Sequence, residues 1–175
     1  MKPASPEPVK YFVGLLYADS ALPPQVRSAL TAELQATDYE SPEFKFDLTT
    51  YYDAEMGSPL FRRFFSFGAL RSPGELAHVK LFTNQIEDQF AVADRRRVNL
   101  DPGYMDLNKV ILASTKTNSR KIYLRDGIYA DPTLWYEKGT FKPYEHAFAD
   151  FNSGIYQAVF LKIRALYKAQ RRLAP

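Results

Sequence analysis

Two short stretches concentrate the polar groups able to do chemistry. The first is NLDPGY, residues 99–104, and the second is STKTNSRK, residues 114–121. In the first, Asn99 and Asp101 stand beside Pro102-Gly103, a pair that suits a type II turn: proline sets φ for the first turn position and glycine supplies a positive φ for the second. A carboxylate and an amide held rigidly at a strand end could meet a ligand, and Asp101 could hold Mg²⁺ or act as a base. It is the one catalytic candidate. In the second stretch the hydroxyl of Ser114 and the cations Lys116 and Arg120 close a loop between two strands, a plausible cradle for an anion. Lys109 opens the strand that leads there. The ordinary readings are a structural turn for the first stretch and a solvated hairpin loop for the second.

Further groups could join them. Arg62 and Arg63 are adjacent on a Phe-rich strand, so only one can face a given side. Arg63 shares its side with Phe61, Phe65 and Phe67, and an inward guanidinium there needs a phosphate or carboxylate partner. It is taken as the candidate. Lys80, Asn84 and Glu87 form one polar helical stripe. Such a stripe is ordinarily a solvated Lys–Glu face, but turned toward NLDPGY it would complete an ionic pocket. Tyr123, Tyr129, Trp135 and Tyr136 make an aromatic ribbon that could stack a base, and the basic end of the last helix offers a nucleic-acid contact.

Other chemistries are excluded by what the chain lacks. It has 175 residues, no cysteine and two histidines. Disulfides, thiolate catalysis and Cys- or His-rich metal sites are therefore ruled out. Neither histidine sits in a nucleophile motif. TKTN resembles the guanine-reading [NT]-K-x-D motif, but Asn118 replaces the aspartate and no G-x-x-x-x-G-K-[ST] loop exists. The proline-rich start carries no signal-peptide pattern, and no apolar run has the length of a membrane span. A cytoplasmic protein without membrane contact is expected. The net charge of +3 permits an anionic partner without demanding one.

The elements that must position these residues read as follows. Residues 1–8 are a disordered lead-in, and residues 9–175 form a single α+β domain. Val9 to Ala18 is a buried strand and residues 23–37 a helix. Phe44 to Tyr52 and Leu60 to Leu70 are strands joined by a DAEMGSP turn. Ser72-Pro73-Gly74-Glu75 has capping-box spacing and opens a second helix. A fourth strand covers Arg96 to Leu100. This β-α-β-β-α-β order predicts a ferredoxin-like core, with both helices on one face of the sheet. Further strands follow at Lys109 to Thr115, Lys121 to Leu124, Thr133 to Tyr136 and Thr140 to Phe141, with Asp126-Gly127 a turn signal after the second. A long helix from His146 to Arg172 ends the chain. Whether the added strands extend the main sheet is open at this level.

RRVNLDPGYMDLNKVILASTK followed by RKIYLRDGIYADPTLWYEKGTF resembles the bacterial "domain of unknown function 4416" family over nearly the whole chain. The resemblance implies a single domain of this length and, because members are often labelled GTP-binding, a nucleotide ligand. It brings no catalytic residues. The expected function is binding of a small phosphorylated or anionic ligand by Arg63, Asn99, Asp101, Lys109, Ser114, Lys116 and Arg120. The alternative is an RNA- or protein-binding module whose exposed sheet face carries Tyr51 or Phe64.

Overall fold

A computed structural model describes residues 2–117 and 120–173; Asn118 and Ser119 of the second stretch lie outside the described residues. Among the described residues, nine strands form one antiparallel sheet. They are β1 (Val9–Tyr17), β2 (Thr37–Glu40), β3 (Phe44–Phe46), β4 (Leu60–Arg71), β5 (Val98–Met105), β6 (Lys109–Ser114), β7 (Ile122–Arg125), β8 (Ile128–Glu137) and β9 (Thr140–Pro143). The spatial order is β2-β4-β1-β5-β6-β8-β7, with β3 also on β4 and β9 also on β8. The added C-terminal strands therefore extend the main sheet.

Alternation along β1 builds both faces. Val9, Tyr11, Val13, Leu15 and Tyr17 face α1 (Leu22–Leu34) and α3 (Leu76–Phe90), where Val26, Leu30, Val79 and Ile86 pack against them. Phe12 points the other way, into a cluster with Phe64, Leu112 and Leu134. The last helix, α5 (Gln157–Leu173), covers that cluster with Val159, Phe160 and Ile163. Each fully buried large apolar side chain contributes about 1.5–3 kcal/mol relative to exposure. Lys10 anchors α5 to the sheet: its ammonium donates to Asp38 Oδ2 at 2.5 Å, Phe67 O at 2.8 Å and Gln170 Oε1 at 2.9 Å.

Several local expectations hold. Ser72 and Glu75 form the capping box, which opens a 3-10 turn at Pro73–Glu75 before α3. Asp126-Gly127 has positive φ at both positions, the geometry of a tight hairpin turn. Others need correction. The strand expected from Phe44 to Tyr52 ends at Phe46, because β4 begins at Leu60 and offers no partner beyond it. The chain continues through Tyr51 and Tyr52 into the helical turn α2 (Asp53–Met56). The final helix is interrupted at Gly154, separating α4 (Ala149–Asn152) from α5.

The main correction concerns NLDPGY. Asp101-Pro102-Gly103 is not a turn but the interior of β5. Gly103 pairs with Phe12 of β1 and Leu112 of β6. A Cβ there would lie 2.6 Å from Ile111 O, 2.7 Å from Phe12 Cζ and 2.9 Å from Leu112 Cδ2. Glycine is required for close approach, not for a left-handed turn. Gly103→Ala is accordingly expected to destabilise the fold by about 1–3 kcal/mol through overpacking. Urea denaturation would check this; unchanged stability would refute the packing account.

Candidate functional site

β5 and β6 pair only at Gly103↔Leu112, Tyr104↔Ile111 and Met105↔Val110. Residues 98–102 of β5 continue to pair with β1, while Ala113 and Ser114 of β6 continue to pair with β8. The sheet splits between them. On the β5 side, the Leu100 N–H donates to Glu87 Oε1 at 2.6 Å, and the Leu100 carbonyl accepts from Lys80 Nζ at 2.8 Å. Two side chains of α3 thus stand in for the missing strand. Backbone groups alternate sides along a strand, so Pro102 turns toward the split as well. It has no N–H to leave unpaired there.

This settles the polar stripe on α3. Lys80 and Glu87 are buried, not solvated. Glu87 lies 3.8 Å from Lys80 Nζ and 3.6 Å from Arg96 Nη1. Burial pushes the Glu87 carboxyl up, and these cations only partly oppose it. Arg96 also grips Glu55 of α2 through two bonds of 2.7 Å and donates to Asn99 Oδ1 at 2.8 Å.

On the α5 side, Arg62 reaches across β1 from β4. The crossing depends on Gly14, whose Cβ would lie 3.0 Å from Arg62 Nη1. The buried guanidinium meets Asp101 Oδ2 at 2.6 Å and Asp150 Oδ2 at 3.6 Å. Tyr156 donates its hydroxyl to Asp150 at 3.2 Å. Burial works to raise the Asp101 carboxyl, but Arg62 and Lys80 outweigh it and hold the group below its usual range. For Asp150 burial prevails over Arg62, and the carboxyl is pushed up.

Two cavities open from the split. One, of about 360 Å³, has Arg62, Asp101 and Asp150 at its polar end and Phe46, Tyr52 and Phe148 among its walls. The other, of about 380 Å³, lies against Lys80, Asn84 and Glu87 of α3 and against Ser114 of β6. Tyr51, Tyr52, Asp101, Lys116 and Phe148 line both, so the two meet at Asp101. Lys116 donates to the Tyr51 hydroxyl at 2.8 Å and has no carboxylate partner among the described residues. That contact lowers the pKa of the Tyr51 phenol. Tyr52 is pushed up to about 12, by burial first and by Asp101 next.

The family model for the domain of unknown function DUF4416 matches residues 7–167. The chain belongs to the DUF4416 family. No curated protein and no solved structure matches it.

Of the residues expected to form a site, this DUF4416 chain brings Asn99, Asp101, Ser114 and Lys116 to the split. Three lie elsewhere. Arg63 faces the α1 side, where it donates to Tyr17 and Glu40 at 2.9 and 2.6 Å. Its neighbour Arg62 is the arginine that reaches Asp101. Lys109, at the opposite end of β6, is engaged by Asp106. Arg120 lies 3.7 Å from Glu145, beside a surface groove that includes Trp135 and His146. Asp101 itself is mid-strand, not at a strand end. Its carboxylate is held by Arg62, and among the described residues no group of three His, Asp or Glu side chains is arranged to hold a metal ion. Sequence reasoning missed Arg62, Asp150 and the aromatic walls. Phe64, offered as a stacking residue, is buried beneath α5, whereas Tyr51 is exposed. No helix among the described residues is long and apolar enough to cross a membrane.

Removing the cation tests the polar floor. Arg62→Met strands two carboxyl groups and is expected to cost about 3–5 kcal/mol at pH 7. Without Arg62 both carboxyls rise, so their protonation in the folded state relieves the deficit as pH falls. The loss should therefore be smaller at pH 5 than at pH 7. Denaturant titrations at both pH values would show it; a pH-independent deficit would count against charge stranding.

Proposed function

We propose that the split between β5 and β6 binds a small ligand with an apolar, planar body and a phosphate or other anionic group, nucleotides among them. The observation that carries this is the position of Lys116. It stands at the rim of an aromatic-walled cavity and, among the described residues, its ammonium pairs only with a phenol, while the other cations of the site are matched by carboxylates. An anion at the rim would take the ammonium from Tyr51 and gain a charge-assisted bond. The body of the ligand would fill the cavity, whose volume of about 360 Å³ falls within the usual range for such sites. The Arg62–Asp101–Asp150 floor has one cation for two carboxyl groups, so it holds no spare positive charge and would present oriented donors and acceptors to the body of the ligand. Paired with Arg62 and held below the usual carboxylate range, Asp101 is a weak base, and its role here is orientation.

The first half of the chain supports a ferredoxin-like reading within this proposal. The strand order β2-β4-β1-β5, with crossovers through α1 and α3, is that of a split βαβ unit. The ligand site then lies at the seam where the added strands join it.

A thermal-shift screen of phosphorylated and carboxylated small molecules tests the proposal. A ligand at a hundred times its Kd should stabilise by about 2.7 kcal/mol, a rise of roughly 2–4 °C for a chain of this size. Lys116→Ala should abolish the shift while leaving the unliganded Tm nearly unchanged, since the side chain is exposed. A full shift retained in that variant would remove Lys116 from the site, and the proposal with it.

A further inference from the structure

The groups left uncommitted around the second cavity differ from those around the first. Apart from Lys116 at the shared rim, the cations there are already matched: Lys80 with Glu87, and Arg96 with Glu55 and Glu87. Among the described residues, the side chains of Asn84, Asp88 and Thr115 make no hydrogen bond or ion pair, and all three line the cavity. Asn99 adds a buried donor. Its Oδ1 is held by Arg96, and its amide nitrogen lies beside the Asp101 carboxylate without a well-formed hydrogen bond. Asn84 and Asp88 lie at i and i+4 on α3 and therefore share a face. The set comprises a carboxylate, two amides and a hydroxyl; the unmatched cation that also lines this cavity, Lys116, stands at the rim shared with the first and is already assigned to the anionic group. Carboxylates accept from hydroxyl groups, and amides both donate and accept. This is the complement of neighbouring hydroxyls, not of a second phosphate.

We infer that the cavity against α3 is a polyol subsite that takes the sugar-like, hydroxylated part of the same ligand, with Asp88 and Asn84 as its hydroxyl-reading residues. The two cavities meet at Asp101, so one molecule can place its planar body on the α5 side, its hydroxyls on the α3 side and its anionic group at Lys116. The ligand class is then a phosphorylated glycoside of a planar ring. This inference rests on the proposed function of the split and adds the sugar to it.

The test is calorimetric titration of the full chain with three kinds of probe. Phenyl phosphate carries a ring and an anion but no polyol. The four common ribonucleoside 5′-monophosphates carry all three parts, and their 2′,3′-dideoxy counterparts lack the hydroxyls. At least one ribonucleotide should bind roughly ten-fold more tightly than its dideoxy form, the size expected for hydrogen bonds to a charged group. In Asp88→Ala and Asn84→Ala that ratio should fall to about two-fold or less, with phenyl phosphate binding unchanged. Both positions are surface-accessible on α3, and circular dichroism would confirm that the variants fold. If phenyl phosphate binds while every ribo and dideoxy pair binds alike, the polyol subsite is overturned and the reading of the split stands. A hydroxyl preference that survives in both variants also overturns the assignment. If neither phenyl phosphate nor any nucleotide binds, the reading of the split falls, and the subsite with it.

Discussion

Everything in the candidate site follows from the early parting of β5 and β6. A sheet that splits exposes backbone donors and acceptors inside the protein, and each one left unpaired costs about 1–3 kcal/mol. This chain meets the requirement on the β5 side with two buried side chains and one missing hydrogen. Lys80 and Glu87 complete the edge of Leu100, and Pro102 has no donor to complete. Gly103 then marks where the strands close again, at a separation that admits no Cβ. The charges of Lys80 and Glu87 are buried because the edge needs them, and they persist there because each has the other and a backbone group as partner.

Arg62 organises the opposite side of the split. One guanidinium serves two carboxylates, and not equally. Asp101 at 2.6 Å is kept ionised, whereas Asp150 at 3.6 Å keeps a raised pKa despite the same cation. The path of Arg62 over β1 uses the room left by Gly14, where an added Cβ would lie 3.0 Å from the guanidinium. The floor has no cation to spare, so in the proposed site Lys116 at the rim is the ammonium a ligand would meet, and uncharged or acidic groups are left uncommitted around the second cavity. Selectivity in such a site comes from which groups are already engaged, more than from how many are present.

The aromatic richness of the chain divides between two roles. Phe12, Phe64, Phe151, Tyr156 and Phe160 form a mutually edge-packed core under α5. Tyr51, Tyr52, Phe46 and Phe148 instead wall the cavity, and Tyr51 and Phe148 are exposed. The composition is the same; the difference is the location of the chain segment after β3, where the loss of a pairing partner releases Leu48 to Tyr52 from the sheet.

The sequence by itself determined the elements whose causes are local. A nearly continuous apolar run marked the buried first strand, the capping box placed the start of the second helix, and Asp126-Gly127 marked a turn. It also showed that Arg62 and Arg63 face opposite sides, and that Asn99, Asp101, Ser114 and Lys116 belong to polar stretches. Tertiary structure decided which groups meet. Asp-Pro-Gly has the chemistry of a turn, yet in β5 the same residues answer a departed neighbour and a close one, and neither is visible locally. Helical periodicity placed Lys80, Asn84 and Glu87 on one face but could not say that a split strand lies opposite. Arg63, Lys109 and Arg120 fell away from the site, and Arg62 and Asp150 entered it, because strand order and the crossing at Gly14 are set by the packing of the whole sheet. A local pattern specifies direction and conformation; the identity of the partner across the gap is a long-range property.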